Sequence, residues 1–315
     1  MQQPRMNLLP IVFTCDDHYF KYAAVVISSI IHNSSRNTKY EINIVSEYIS
    51  DENQSLAQKM VQSKSNISIQ FHAIKIENPE VFHLNSYMSL STYYRFFIFD
   101  LLKDYDRVLY LDSDLIVDND ISFFADIDFE NKPAICCPSI YVQNSLKNNT
   151  DHKFTREYFT QILKMSDVDE YFNAGVILFN IKLIRAQGID RKFFEAIKNI
   201  KDPVYQDQDI LNSVLRNNGG AKLISNEYNH TKTMKFSLKR IFLNALKNKF
   251  GKKRNNWFTI YHYVGKVKPW QNFNPDSALF LYYAYKTPFV REILKSNRLK
   301  LSSSLKIQLM VLSRF

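Results

Sequence analysis

The chain has 315 residues, of which 45% are hydrophobic and 14% aromatic, with only six glycines, a composition that excludes collagen-like, low-complexity and disordered classes. That length suits one large α/β domain or two ordinary ones. The net charge of +10 is lopsided: residues 1–227 hold 23 Lys and Arg against 29 Asp and Glu, whereas residues 228–315 hold 18 against 2.

Cys15, Cys136 and Cys137 form neither a spaced disulfide framework nor a metal knuckle, which fits a reducing compartment. The apolar run Leu8 to Phe13 is too short for a secretory signal and is soon followed by Asp16-Asp17. No apolar stretch approaches the roughly 18 residues that a membrane-spanning helix needs. A cytosolic location with only peripheral membrane contact is expected.

In chain order, Leu8 to Thr14 is a predicted strand, followed by Asp16-Asp17-His18-Tyr19 in a turn and by Tyr22 to His32 as a helix. Glu41 to Val45 reads as a strand, Asp51 to Ser63 as a helix capped by Ser50 or Asp51, and Ile67 to Ile74 as a third strand. This alternation predicts an α/β fold with a mainly parallel central sheet flanked by helices. Ser91 to Leu102 reads as a helix carrying Arg95, with Asp100 nearby as an ordinary ion-pair partner.

Val108 to Leu111 is an apolar strand that runs straight into Asp112-Ser113-Asp114. A buried strand with that ending carries two carboxylates to its C-terminal tip, where open α/β sheets keep their ligand crevices. Two acids one residue apart reach the same hard cation, and oxygen ligands suit Mg²⁺ or Mn²⁺ holding a diphosphate. The bland alternative is a chance triplet in a surface turn.

Further on, Pro133 to Pro138 is a short apolar run, Tyr158 to Lys164 a helical stretch, and Ala174 to Asn180 a strand entered through Asn173-Ala174-Gly175. Gln206 to Leu215 is a helix with acids in its first turn, favourable for the macrodipole. In Tyr261 to Trp270, His262 follows an apolar strand and can add a nitrogen ligand to a metal. Gly265 permits close backbone approach to a phosphate, and Lys268 offers a positive charge to a diphosphate. Each residue also has a structural reading: His262 as a packed side chain, Asn173 as a turn residue, Asp207 and Asp209 as helix-start charges.

From Tyr228 to Pro275 there are eleven basic residues and no acid. There Leu238, Ile241, Phe242, Ala245, Leu246 and Phe250 mark one helical face amid lysines and arginines, and Leu299 to Phe315 repeats the theme. A basic amphipathic helix reads as a membrane-surface element drawn to anionic lipid, the alternative being a core-packed helix with a solvated basic face. Nucleic acid is not expected as a partner, since positive charge alone is unspecific. The expected organisation is a catalytic domain over 1–275 and a basic helical segment over 276–315 open to membrane contact.

Six ordered motifs resemble glycosyltransferase family 8 across most of residues 9–275. They are Phe13 to Tyr19, Ser91 to Arg95, Leu109 to Asp114, Tyr171 to Val176, Tyr205 to Leu211, and His262-x-x-Gly265-x-x-Lys268-Pro269-Trp270. The resemblance implies the nucleotide-sugar-binding fold called GT-A and a retaining hexosyltransferase moving galactose or glucose from a UDP-sugar. The acceptor it implies is a glycan such as lipopolysaccharide, lipooligosaccharide or another surface glycan.

By the same resemblance, Asp112, Asp114 and His262 would ligate Mn²⁺. Thr14, Asp16, Tyr19 and Ser113 would hold the nucleoside, and Gly265 with Lys268 the diphosphate. Arg95, Asn173, Asp207 and Gln208 would surround the sugar. His18 departs from the pattern, since close bacterial relatives tend to carry Asn there. A non-catalytic nucleotide-sugar-binding protein, or an enzyme acting on a protein or soluble glycan, is the alternative.

Overall fold

The computed structural model describes residues 6–82, 90–165, 167–231, 258–271 and 277–296, with isolated positions at 241, 243, 244 and 247. The first half contains β1 (Asn7–Thr14), α1 (Phe20–Asn33), β2 (Thr38–Ser46), α2 (Asp51–Val61) and β3 (Ile67–Ala73). A 3-10 helix over Leu90–Phe97 then leads into α3 (Ile98–Leu101), followed by β4 (Arg107–Leu111) and β5 (Leu115–Val117). The second half contains β6 (Ala134–Pro138), α4 (Ile140–Asn148), β7 (Phe172–Asn180), α5 (Ile181–Ala186), α6 (Ile189–Asn199), α7 (Gln206–Arg216) and β8 (Ala221–Leu223). β9 (Ile260–His262), α8 (Ser277–Ala284) and α9 (Val290–Ser296) complete the described elements.

Seven strands form the central sheet in the order β3-β2-β1-β4-β7-β6-β8. β1 pairs in parallel with β2 and β4, β2 with β3, and β6 with β8. The expected mainly parallel α/β sheet is therefore present. Only β7 runs against its neighbours, antiparallel to both β4 and β6. The near-continuous apolar runs of β1 and β4 follow from burial on both faces. Ile11, Phe13, Leu109 and Leu111 join one core cluster while Val12, Val108 and Tyr110 join the other.

α1 is buried all round because it lies between the sheet and the C-terminal part of the chain, where it packs against β5 and α8. Ser28 Oγ donates to the Tyr283 carbonyl, and the buried Lys21 pairs with Glu292 at 2.9 Å. Every residue of α8 is buried. Residues of α8 and α9 thus share a core cluster with α1 and β5. The expected basic face over 238–250 falls largely, and the segment 299–315 wholly, outside the described residues. Among the described residues, no helix is long and apolar enough to cross a membrane.

Two local expectations change. Residues 90–101 are a 3-10 helix followed by a single α-turn, not one α-helix. Arg95 Nε takes the Thr92 carbonyl, the acceptor that a continuous α-helix would give to the Phe96 amide. Tyr158–Ile162 is a π-turn, a geometry found mostly as single turns and frequently at functional sites. The Ser50 cap on α2 is present, its side chain accepting from Asn53 N.

Candidate functional site

β4 delivers Asp112-Ser113-Asp114 to the C-terminal edge of the sheet. β5 begins at the next residue and pairs antiparallel with β9 in the register Leu115↔His262. The amide of Tyr263 donates to the Asp114 carbonyl at 2.9 Å, which ties the end of β9 to the triplet. A two-stranded ribbon thus brings His262 across 148 residues of sequence onto the two carboxylates. One ligand atom from each of Asp112, Asp114 and His262 lies within 4.8 Å of the others. His262 Nε2 stands 3.1 Å from Asp114 Oδ1 and 3.6 Å from Asp112 Oδ2.

The reversed strand explains Asn173-Ala174-Gly175. Because β7 is antiparallel to β4, its beginning lies where β4 ends, and Asp112 N donates to the Gly175 carbonyl at 2.9 Å. Gly175 has no room for a side chain: an added Cβ would stand 2.1 Å from His262 Cε1 and 2.9 Å from Asp112 Oδ2. Replacing Gly175 with Ala should push His262 out of place and weaken divalent-metal binding at least about tenfold, a metal-site effect of the size a misplaced ligand produces. Isothermal titration with Mn²⁺ checks this, and unaltered affinity would remove the close packing of these three residues from the account.

Lys268 Nζ donates to Asp114 Oδ2 and, at 2.9 Å, to the Tyr263 carbonyl. Burial acts to raise the Asp114 carboxyl, but the charges of Lys268 and His262 outweigh it and hold the group well below the usual carboxylate range. Gly265 takes φ +87, a conformation that favours glycine, and an added Cβ would meet nothing within 4 Å among the described residues.

On the other side of the triplet, buried Arg95 bridges two acids. Its Nη2 donates to Asp112 Oδ1 at 2.9 Å and its Nη1 pairs with Asp207 Oδ2 at 2.9 Å, with the Ala174 carbonyl as a further acceptor. The guanidinium also lies 4.2 Å from the centre of the Tyr110 ring. Asp100, the ordinary partner within the same stretch, pairs with Arg185 instead. Burial pushes the Asp207 carboxyl up to about 7, Arg95 opposing and Asp112 reinforcing. The start of α7 is strained, since Gln206 has φ 38, a sparsely populated region for a non-glycine residue.

Asn212 docks α7 on the start of β7, accepting from Phe172 N at 2.8 Å and donating to Phe172 O at 3.0 Å. That places Gln208 beside Asn173. Gln208 Oε1 accepts from Asn173 Nδ2 at 3.1 Å and from Ala174 N at 3.0 Å, while its Nε2 donates to the Tyr171 hydroxyl at 3.0 Å. Tyr171 donates in turn to Asp209, whose other oxygen accepts from Tyr158.

At the end of β1, Thr14 Oγ1 lies 3.1 Å from the Tyr110 hydroxyl, which itself donates to Asp112 Oδ1 at 2.8 Å. Asp16 Oδ1 accepts from Tyr19 N at 2.7 Å, closing the turn before α1. The Tyr19 ring packs edge-on against Trp270, whose indole stacks on Tyr22 at 3.9 Å. Tyr19 is close enough to Asp114 and Asp112 that, after burial, their charges raise its hydroxyl further. The structure thus gathers Asp112, Asp114, His262, Lys268, Arg95, Asp207, Asn173 and Gln208 into one connected cluster, with Thr14 and Tyr19 on its flank. Ser113 lies between the two acids, buried, and its hydroxyl has no hydrogen-bond partner among the described residues.

Sequence reasoning missed Tyr110, Tyr171 and Asn229. Asn229 carries no motif; it reaches the site because His230 N donates to Ile260 O and His262 N donates to His230 O, laying residues 229–230 along β9. Asn229 Oδ1 lies 2.9 Å from His262 Nδ1, and its Nδ2 donates to Asn173 Oδ1 at 2.8 Å.

Residues 10–274 match glycosyl transferase family 8. The chain is 25% identical over 269 residues to a lipopolysaccharide 1,2-glucosyltransferase of Escherichia coli, covering 82% of this chain and 71% of that protein. It is 31% identical over 210 residues to a lipopolysaccharide 1,3-galactosyltransferase of Salmonella typhimurium, covering 63% of this chain and 55% of that protein. Among solved structures, galactosyltransferase LgtC in complex with donor and acceptor sugar analogs superposes with a TM-score of 0.69, at 25% identity over 92% of this chain and all of that one. The central sheet of this chain is thus that of a GT-A glycosyltransferase. The chain belongs to glycosyl transferase family 8.

Proposed function

We propose that this chain is a retaining hexosyltransferase that moves galactose or glucose from a UDP-sugar to a glycan acceptor, with Mn²⁺, or Mg²⁺ in its place, held by Asp112, Asp114 and His262. The observation that carries this reading is the convergence of two carboxylates and an imidazole on one point at the crevice edge of the sheet. That donor set suits a cation of intermediate hardness. When bound, such a cation supplies positive charge to a departing diphosphate.

The remaining roles follow from the chain's own groups. Lys268, on the far side of Asp114, is placed to neutralise charge that develops on the leaving diphosphate, and the open backbone at Gly265 admits a phosphate oxygen. The unpartnered Ser113 hydroxyl offers a nucleoside a hydrogen bond, with Thr14, Asp16 and Tyr19 lining the same flank. Arg95, Asp207, Asn173 and Gln208 surround the sugar. The Gln208 oxygen already accepts two hydrogen bonds and an amide is a weak nucleophile, so Gln208 orients the sugar and stabilises positive character at its anomeric carbon.

The acceptor is a lipopolysaccharide, lipooligosaccharide or other surface glycan, a reading supported by the two lipopolysaccharide transferases that the chain resembles. The 18 basic residues against 2 acids in 228–315 support peripheral attachment to the anionic inner face of the cell membrane. Vesicles with anionic lipid should sediment the chain at low salt and release it at high salt; equal sedimentation with neutral vesicles would remove the membrane from this reading. The function itself is tested by measuring UDP release from a panel of UDP-sugars with Mn²⁺ and a core-oligosaccharide acceptor. Turnover of one UDP-hexose is expected, and failure to bind UDP or to turn over any donor would defeat it.

A further inference from the structure

A row of side-chain amides and hydroxyls links the α7 end of the site to the metal-ligand end, and its polarity is fixed at every step. Asp209 is buried, and both its oxygens are engaged by hydroxyls of Tyr158 and Tyr171. A carboxylate only accepts, so Tyr171 must donate to it and can offer Gln208 only an acceptor. Gln208 therefore turns its Nε2 to Tyr171 and its Oε1 to Asn173 and the Ala174 amide, an orientation the Ala174 N–H independently enforces. Asn173 then presents Nδ2 to Gln208 and Oδ1 to Asn229, an orientation the Gly175 N–H enforces at 3.0 Å. Asn229 must donate to that oxygen, which leaves its own Oδ1 facing His262 Nδ1 at 2.9 Å.

We infer that Asn229 is a positioning residue for the metal site: it ends a directional hydrogen-bond chain, started by the Asp209 carboxylate, whose last acceptor keeps a proton on His262 Nδ1 and turns Nε2 toward Asp112 and Asp114. This inference rests on the metal reading above. An acceptor 2.9 Å from Nδ1 fixes the ring's orientation and turns Nε2, 3.1 Å from Asp114 Oδ1, toward the carboxylates. Metal-ligating imidazoles depend on such outer partners for tautomer and ring orientation. The same chain passes through Asn173 and Gln208, so the groups assigned to the sugar and the ligand assigned to the metal share one set of hydrogen bonds.

The test uses the full chain labelled with ¹⁵N-histidine, Asn229→Ala and Asn229→Asp, and two readouts. Long-range proton-nitrogen correlation reports which ring nitrogen of His262 carries the proton, and titration calorimetry with UDP present reports Mn²⁺ affinity. The native chain should carry a proton on Nδ1. Asn229→Ala should move the proton to Nε2 and weaken Mn²⁺ binding about 10- to 100-fold, the usual range for loss of an outer partner. Asn229→Asp keeps an acceptor for Nδ1–H but cannot donate to Asn173, so Mn²⁺ affinity should stay within about threefold of native while kcat falls, a split that a merely structural role would not give.

The inference is overturned if Asn229→Ala folds and leaves both tautomer and affinity unchanged, or if Asn229→Asp loses Mn²⁺ affinity in step with kcat. If the alanine variant does not fold, the aspartate variant decides alone by the same split. Failure of the underlying reading looks different: Mn²⁺ affinity would then be insensitive to Asp114→Ala as well, while the tautomer readout would still judge the hydrogen-bond chain.

Discussion

Asp114→Ala should lower UDP release from the preferred UDP-hexose at least about a thousandfold, equivalent to roughly 4 kcal/mol of transition-state stabilisation. The size follows from what Asp114 does in the structure. One of its oxygens faces His262 Nε2 and the other holds Lys268, so its loss removes a ligand and frees the cation assigned to the diphosphate. Those two partners hold its carboxyl well below the usual range against the opposing effect of burial, which keeps the ligand ionised throughout the working pH range. Chelating the metal from the native chain should reproduce the loss, and added Mn²⁺ should restore the native chain but not the variant. A variant retaining a tenth or more of native turnover would contradict the metal assignment.

Arg95→Met should destabilise the fold by about 3 kcal/mol, within the range measured when one partner of a buried ion pair is removed. Arg95 is buried and pairs with Asp207, which is buried too. The sign of the pH dependence follows from Asp207, whose carboxyl burial raises to about 7 in spite of Arg95. A raised carboxyl holds a proton in the folded chain that the unfolded chain releases, so its contribution to stability is fully present at low pH and is lost between about 4 and 7. Without Arg95 that carboxyl rises further. The variant's deficit should therefore be larger at pH 8, where the charge is unpaired, than at pH 5, where Asp207 is neutral in both chains.

The same shift has a kinetic counterpart. If ionised Asp207 serves the sugar, kcat/KM of the native chain should fall below about pH 7 and the limb should move upward in Arg95→Met. Urea unfolding at the two pH values and a pH–rate profile check both statements. An equal deficit at pH 5 and pH 8, with an unmoved acid limb, would remove the Arg95–Asp207 pair from the account.

Much of the fold was legible because β1 and β4 are buried on both faces and so read as apolar runs, while β2 and β3 place Tyr40, Ile42, Ile44, Ile67 and Ile69 at alternate positions on the core. The reversal of β7 was not legible. A strand buried on both faces has the same pattern in either direction, and only pairing reveals that Asn173-Ala174-Gly175 enters the sheet beside Asp112. The proposed metal-ligand set was legible as residue types, whereas the device that joins them, the β5–β9 ribbon, consists of two three-residue strands too short to carry a pattern. Asn229 was invisible for a related reason: one amide in a loop gains its meaning only from a hydrogen bond to His262.

The most direct test of the central claim is anomalous diffraction at the manganese edge from crystals grown with Mn²⁺ and UDP. The account predicts a single strong peak within about 2.5 Å of a carboxylate oxygen of Asp112, one of Asp114, and His262 Nε2, with UDP phosphate density on the side of Lys268. A peak elsewhere, or UDP bound in the crevice with no manganese at these three residues, would contradict it.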